Sequence, residues 1–508
     1  MADSNIYRSF SHWMGGQFVR QKFNSPLGYV FLLAFAGILG IAVAMLGLKL
    51  GALLLVGLLA LPSILLAIFD LNFGMKLALI AAILVGLLSK YAELPFGLSL
   101  DALLFVMFFG LLIKQARERD MSFANSPISA LILIWVFLNL LEVLNPVAGS
   151  RVAWIFTVRS MAGLILLYFI ACYALNSLNK IFNIVKFIIV LAFISALYGL
   201  KQEFFGFSDA EMVWLYSDKE RLQLIMQWSR LRIFSFFSDP TNFGIFMAYM
   251  GTFCFVLATG PFKIWQRLAL LIGGTCMFLG MAFAGSRTPF VLVPFGFFIF
   301  VILTLKRNTL IICGILGVLG TGFIMKSSSN AVVHRIQSAF KPSLADDTMD
   351  VRTKNRKFIQ PYIYTHPVGF GLGSTGVWAK RFTPDSFLAQ FAHDSGFVRV
   401  AVELGWIGLI IICLFMFTIL RISIYYYIRV QNPQIKILYL GFIVILFQLT
   451  LANYPQEAIT ILPTSIIFYI ILACIVKMKD YDVVMLNAAV VEEKESSFVE
   501  IEDLSEEG

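Results

Sequence analysis

One histidine and three arginines are the residues of this sequence best suited to chemistry. His393 stands where a long polar stretch ends and an apolar one begins, in Gln390 to Ile410, QFAHDSGFVRVAVELGWIGLI. Asp394 and Ser395 behind it suit a helix N-cap. An imidazole is therefore expected at the mouth of an apolar helix, within reach of water, where in its neutral form it can take a proton from a hydroxyl. Arg159, Arg232 and Arg287 lie in or beside apolar runs, where a charge is costly and so a functional candidate. A guanidinium stays charged and grips phosphate oxygens through a planar fork.

The elements that must position these residues span a membrane. The chain has 508 residues, of which 59% are hydrophobic and 14% charged, against about 25% charged in a soluble domain. Apolar runs of bilayer-spanning length, roughly 17–25 residues, are expected near 27–46, 50–69, 73–89, 97–114, 127–144, 155–176, 181–202, 240–259, 264–284, 288–305, 308–325, 395–418, 435–452 and 459–477. The expectation is an all-α polytopic membrane protein with about 12–14 transmembrane helices, the shortest of them half-spanning.

Lysines and arginines in the connections set the orientation. They are Arg8, Arg20 and Lys22; Lys114, Arg117 and Arg119; Lys263 and Arg267; Lys306 and Arg307; Arg421, Arg429 and Lys436; and Lys477 and Lys479. With the N-terminus inside, every one of these falls on the cytoplasmic side. The same count puts the two long connections, 204–239 and 326–392, outside. Arg159 then sits in the first turns of the sixth helix, Arg232 just before the eighth, Arg287 in the turn between the ninth and tenth, and His393 at the start of the twelfth. All four share the outer face. Residues 1–26 are expected as a cytoplasmic tail, 27–477 as one transmembrane domain, and 478–508 as an acidic, disordered cytoplasmic tail.

Each candidate has a plainer role open to it. Arg159 could snorkel to lipid headgroups, Arg287 could cap a turn, Arg232 could join Arg221 and Arg230 in a basic loop, and His393 could be an interfacial histidine. Arg399 and Glu403, four apart, are expected to pair with each other, and Asp101 and Glu142 to partner arginines. His334 and His366 read as loop surface. The six cysteines, Cys172, Cys254, Cys276, Cys313, Cys413 and Cys474, lie in apolar runs without a CxxC pair and are expected as buried free thiols. The N-terminal stretch lacks the apolar core and cleavage site of a signal peptide. No acidic cluster suited to a divalent ion, no P-loop and no metal-ligand spacing of histidines is present. No metal, cofactor or nucleic-acid partner is expected.

Three arginines and a histidine at an outer membrane face suit transfer from a lipid pyrophosphate. The guanidiniums stabilise charge building on the leaving pyrophosphate, and the imidazole activates the attacking hydroxyl. The sequence also resembles the O-antigen ligase and polysaccharide polymerase superfamily of bacterial membrane glycosyltransferases, from about Arg159 to the last helix. Arg232-Ile-Phe-Ser-Phe-Phe-Ser-Asp-Pro240-Thr-Asn242 is similar to the family's arginine-led segment ending in Pro-Asn, with Thr241 intervening. Gly285-Ser286-Arg287 resembles its Ser-Arg turn. His366-Pro367-Val-Gly-Phe-Gly-Leu-Gly373 resembles its Pro/Gly loop segment. His393-Asp-Ser-Gly-Phe with Glu403-Leu-Gly-Trp-Ile-Gly408 is similar to its His-Asn…Glu-x-Gly-x-x-Gly signature, with Asp394 in place of Asn.

The resemblance implies a GT-C-like fold with one large periplasmic loop in the bacterial inner membrane. It implies that His393 activates the acceptor hydroxyl, that Arg232 and Arg287 hold the undecaprenyl pyrophosphate of the donor, and that Arg159 assists them. Catalysis would need no metal and would invert the anomeric carbon. The acceptor could be a lipid A core sugar, a growing lipid-linked glycan, or a protein hydroxyl as in a protein O-oligosaccharyltransferase. The modest outer loop, with no added periplasmic domain, weighs against the last. The rival class is a lipid-linked glycan flippase, which should carry polar residues near the midplane in symmetric halves. Neither is visible here.

Overall fold

A computed structural model describes residues 26–46, 62–91, 96–227, 230–307, 347–391 and 395–482, with the single positions 60, 310, 311, 314, 315, 317, 322, 337 and 340 between them. His393, Asp394, His334, Cys313 and the acidic tail beyond 482 lie outside the described residues.

The protein is an all-α polytopic membrane protein. Among the described residues ten helices are long and apolar enough to cross a membrane: Leu71–Leu88, Phe96–Glu118, Pro127–Leu144, Arg151–Ala174, Leu178–Phe205, Pro240–Ala258, Ile264–Ala284, Arg287–Thr304, Gly405–Arg429 and Pro433–Ala452. Helices Pro26–Leu46 and 464–482 fall on two further expected runs. Much of 50–69 and 308–325 lies outside the described residues. Local signals fix the starts. Ser126, Ser150, Ser177, Asp239 and Asn432 each cap a helix by accepting a backbone N–H of its first turn, and Pro127, Pro240 and Pro433 occupy the first turn where no N–H partner exists.

Contacts divide the chain into two units. The first comprises Met1–Leu77 and Phe105–Arg119. There Gly74 lets one helix approach another, since a Cβ at that position would lie 2.7 Å from Met107 Cε. The second comprises Ala78–Leu104 and Asp120–Gly508 and contains all four candidate residues. At its centre are Pro240–Ala258 and Pro433–Ala452, with 78% and 72% of their spans buried against 28–44% for the other eight helices. Both are apolar all round, as enclosure on every side requires. Small residues set the spacing, as in other membrane helix pairs: Gly251 faces Phe278, and Gly274 faces Phe255.

Two expectations need correction. The single run expected over 395–418 is two helices, Gly396–Glu403 and Gly405–Arg429. The joint is Gly405, at φ +68°, where an added Cβ would overlap the Pro367 carbonyl oxygen. Apolar residues continue through the joint, so hydropathy does not mark it. Of the cysteines, Cys172, Cys254 and Cys474 are buried, but Cys413 is exposed and Cys276 half-exposed. Both lie on helices with little of their span buried, where an apolar thiol can face lipid as well as protein.

Among the described residues, both long connections contain helices. Connection 204–239 holds helices Asp209–Tyr216 and Lys219–Ile225 and a small hairpin, Met226–Gln227 antiparallel to Arg230–Leu231. Connection 326–392 holds helices Asp347–Thr365 and Gly376–Phe382.

Candidate functional site

A cavity of about 650 Å³ opens in the second unit. Its lining combines the charged Asp101, Arg159, Arg381, Arg399, Glu403 and Glu457 with a larger set of apolar residues such as Leu100, Leu104, Leu164, Phe415, Met416 and Phe468, and polar ones such as Asn139, Asn453 and Ser465.

Arg159, two turns into Arg151–Ala174, places Nε 3.2 Å from Asp101 Oδ2, and its guanidinium lies over the Phe156 ring at 5.2 Å. The ion pair engages Nε, and the two terminal nitrogens make no hydrogen bond among the described residues. Asp101 is therefore an arginine partner, as expected. Among the described residues Glu142 pairs with no arginine: it accepts from Asn145 Nδ2 at 2.9 Å, and the same amide also reaches the carbonyls of Val368 and Gly369.

Arg399 and Glu403 pair at 3.3 Å, as their spacing predicts. The pair is part of a larger network. Arg399 Nη1 also donates to Glu457, Thr375 Oγ1 donates to Glu403 Oε1 at 2.7 Å, and Thr460 Oγ1 donates to Glu457 Oε1 at 2.6 Å. A buried carboxylate needs such partners. The chain just after His393 is held by the same turn. Ser395 caps Gly396–Glu403 and donates its hydroxyl to Asn453 O, while Gly396 N donates to Gln456 O at 3.3 Å.

The Pro/Gly segment 366–373 seats this junction against the helix of Arg159. Phe370 N donates to Val402 O at 2.9 Å and Gly371 N to Glu403 O at 3.0 Å. A Cβ at Gly373 would lie 2.8 Å from Thr157 Oγ1 and 2.9 Å from Ala153 O. His366 is half-buried, stacked on Phe370 at 4.3 Å.

Arg232 and Arg287 belong to a second cluster and do not line the 650 Å³ cavity. Arg232 Nε donates to Ala284 O at 2.8 Å, Nη1 to Leu224 O at 3.3 Å, and Nη2 to Thr241 Oγ1 at 3.4 Å and to Ser286 Oγ. Thr241, the residue intervening in the Pro-Asn pattern, is thus one of its partners. Arg287 follows Ser286 as the first, half-buried residue of Arg287–Thr304. Burial lowers the Arg232 pKa from its ordinary value, and the Asp239 carboxylate opposes that shift. A polar network holds the Arg232 segment. Gln202 Oε1 accepts from Phe234 N and Ser235 N, and Lys90 Nζ donates to Ser235 O at 2.7 Å. Ile461 and Leu462 line both the large cavity and a smaller one of about 230 Å³ that reaches Asn242.

The structure thus brings Arg232 to the Ser286-Arg287 turn and leaves Arg159 with Arg399, Glu403 and the segment that follows His393. Among the described residues no group of three or more His, Cys, Asp or Glu is placed to hold a metal ion. Thr375, Trp378, Arg381, Asn453 and Glu457 were not among the residues expected at the site. The polar break Asn453-Tyr-Pro-Gln-Glu457 between two apolar runs was the one available signal.

Residues 272–413 match the family model for O-antigen ligase. The match supports the O-antigen ligase and polymerase superfamily for this chain, and with it glycosyltransferase chemistry and polysaccharide biosynthesis at the family level. It covers the Ser286-Arg287 turn, the 366–373 segment and the stretch from His393 to Gly408; Arg159 and Arg232 lie outside it. No curated protein matches the chain.

Proposed function

We propose that this protein moves a glycan from undecaprenyl pyrophosphate to an acceptor hydroxyl at the periplasmic face of the bacterial inner membrane, with both termini cytoplasmic. The observation that carries this reading is the cavity that combines charged residues with a mostly apolar lining, beside the turn that holds Ser395 and Gly396. Such a lining suits a lipid with an anionic head.

In this reading His393 accepts the proton of the acceptor hydroxyl. The hydroxyl oxygen bonds to the anomeric carbon as the bond from that carbon to the pyrophosphate oxygen breaks, and the configuration inverts. Undecaprenyl pyrophosphate leaves with one more negative charge, which Arg159 stabilises. Arg232 and Arg287 hold the donor at the Ser286 turn, and no resident metal or cofactor takes part.

The test is transfer in vitro by the purified chain, given an undecaprenyl-pyrophosphate glycan in the presence of EDTA. Elongation of the donor alone marks a polymerase. Product that forms only with lipid A core marks a ligase. Absence of product with either acceptor, or with a peptide, overturns the transferase reading in favour of a flippase.

A further inference from the structure

We propose that Arg381, on the loop helix Gly376–Phe382, is a second phosphate-gripping residue of the large cavity, acting with Arg159 on the diphosphate of a prenyl-linked ligand; this rests on the lipid-pyrophosphate reading above.

Three rings join the two arginines. Phe156 stacks on Trp378 with centroids 4.7 Å apart and on Phe382 at 5.4 Å, the planes tilted by 27° and 25°. Arg159 lies over Phe156 at 5.2 Å, and Arg381 lies over Phe382 at 5.5 Å. Two guanidiniums therefore flank one aromatic stack, and both line the cavity. Guanidinium is weakly hydrated and rests well on an aromatic face while its N–H edges stay available to an anion.

Charge pairing separates Arg381 from the other cations of the cavity. Arg159 faces Asp101, and Arg399 faces Glu403 and Glu457. Arg381 is exposed and forms no ion pair or hydrogen bond among the described residues. A basic residue in the last turn also complements the helix carbonyls. Lys380 shares that turn, however, and does not line the cavity. The loop is fastened where it meets the site, by Thr375 Oγ1 donating to Glu403 and by the close approach of Gly373 to Ala153 and Thr157. Arg381 is thus a cation without a carboxylate partner among the described residues, lining a cavity whose apolar walls suit a hydrocarbon chain. A phosphoryl group on a long-chain lipid satisfies both the cations and the apolar walls. Inorganic pyrophosphate satisfies only the cations.

The test is binding of radiolabelled undecaprenyl pyrophosphate to the full chain in detergent, with undecaprenol and inorganic pyrophosphate as competitors. Arg381→Ala should weaken binding by about tenfold or more, with Arg381→Lys intermediate, because the charge is kept and the fork lost. Lys380→Ala should bind as wild type does. Inorganic pyrophosphate and undecaprenol should each compete more weakly than unlabelled undecaprenyl pyrophosphate. Thermal unfolding of Arg381→Ala should match wild type. A wild type that does not bind the lipid pyrophosphate, an Arg381→Ala protein that binds like wild type, or equal weakening by Lys380→Ala overturns the assignment. Arg381-dependent binding by a protein that transfers no glycan supports it and removes the transferase reading instead. Arg381→Ala that binds and transfers like wild type removes only this assignment.

Discussion

Gly405 and Pro367 meet backbone to backbone: the Gly405 Cα faces the Pro367 carbonyl so closely that a side chain there would overlap its oxygen, and Ile407 N donates to the same carbonyl at 3.3 Å. This contact joins the Pro/Gly segment of the loop to the joint between two helices. Gly405→Ala should be strongly destabilising, since φ is +68° and a left-handed backbone costs an alanine about 1–2 kcal/mol before any overlap is counted. Gly97→Ala, where an added Cβ meets nothing within 4 Å, is the control. Thermal unfolding in detergent should show a fall of several degrees for Gly405→Ala and almost none for Gly97→Ala.

Arg399 neutralises two carboxylates at once. Its side chain is 25% exposed, and those of Glu403 and Glu457 are 4% and 17% exposed. Arg399→Leu leaves both acids without their cation and should cost about 3–5 kcal/mol. Glu457→Gln keeps a hydrogen-bond acceptor and one ion pair and should cost less. Unfolding followed by a buried-thiol reporter ranks the two variants, and an Arg399→Leu protein as stable as wild type contradicts the network.

Arg159 and Asp101 should separate by function. Removing a charge-stabilising donor lowers rate by about 10²–10³-fold, so Arg159→Ala should lose transfer by that order while remaining folded. Asp101→Asn retains the arginine and should keep most of its transfer rate. Initial rates at saturating donor check this, and equal losses in both variants would assign the pair to structure alone.

Lys90 gives a pH dependence with a definite sign. It is buried against Phe234 at 4.2 Å, and burial lowers its pKa from 10.5 to about 7 although Glu211 opposes the shift. The unfolded chain therefore binds the extra proton over the range from about 7 to 10.5, and the folded chain does not. Stability should rise with pH across that window, and the burial penalty should be fully present below about 7. Thermal midpoints between pH 7 and 10 should climb for wild type and lose this slope in Lys90→Met.

The helices were legible where apolar runs end at polar caps. Asp239-Pro240 and Asn432-Pro433 fix the starts of the two central helices within a few residues of expectation. The Arg399–Glu403 pair was legible because both residues share a helix face. Glu457 was not, because its bond to Arg399 joins positions 58 apart in sequence. The joint at Gly405 escaped because hydropathy reports burial, not backbone direction. Arg381 escaped because the rings that carry it come from two distant segments.

His393 is proposed to activate the acceptor hydroxyl. The direct measurement is single-turnover transfer from a labelled undecaprenyl-pyrophosphate glycan by wild type and His393→Ala, with donor binding measured on the same samples. Transfer lost by about 10²-fold or more, with donor binding retained, is the expected result. Transfer by His393→Ala at the wild-type rate contradicts it.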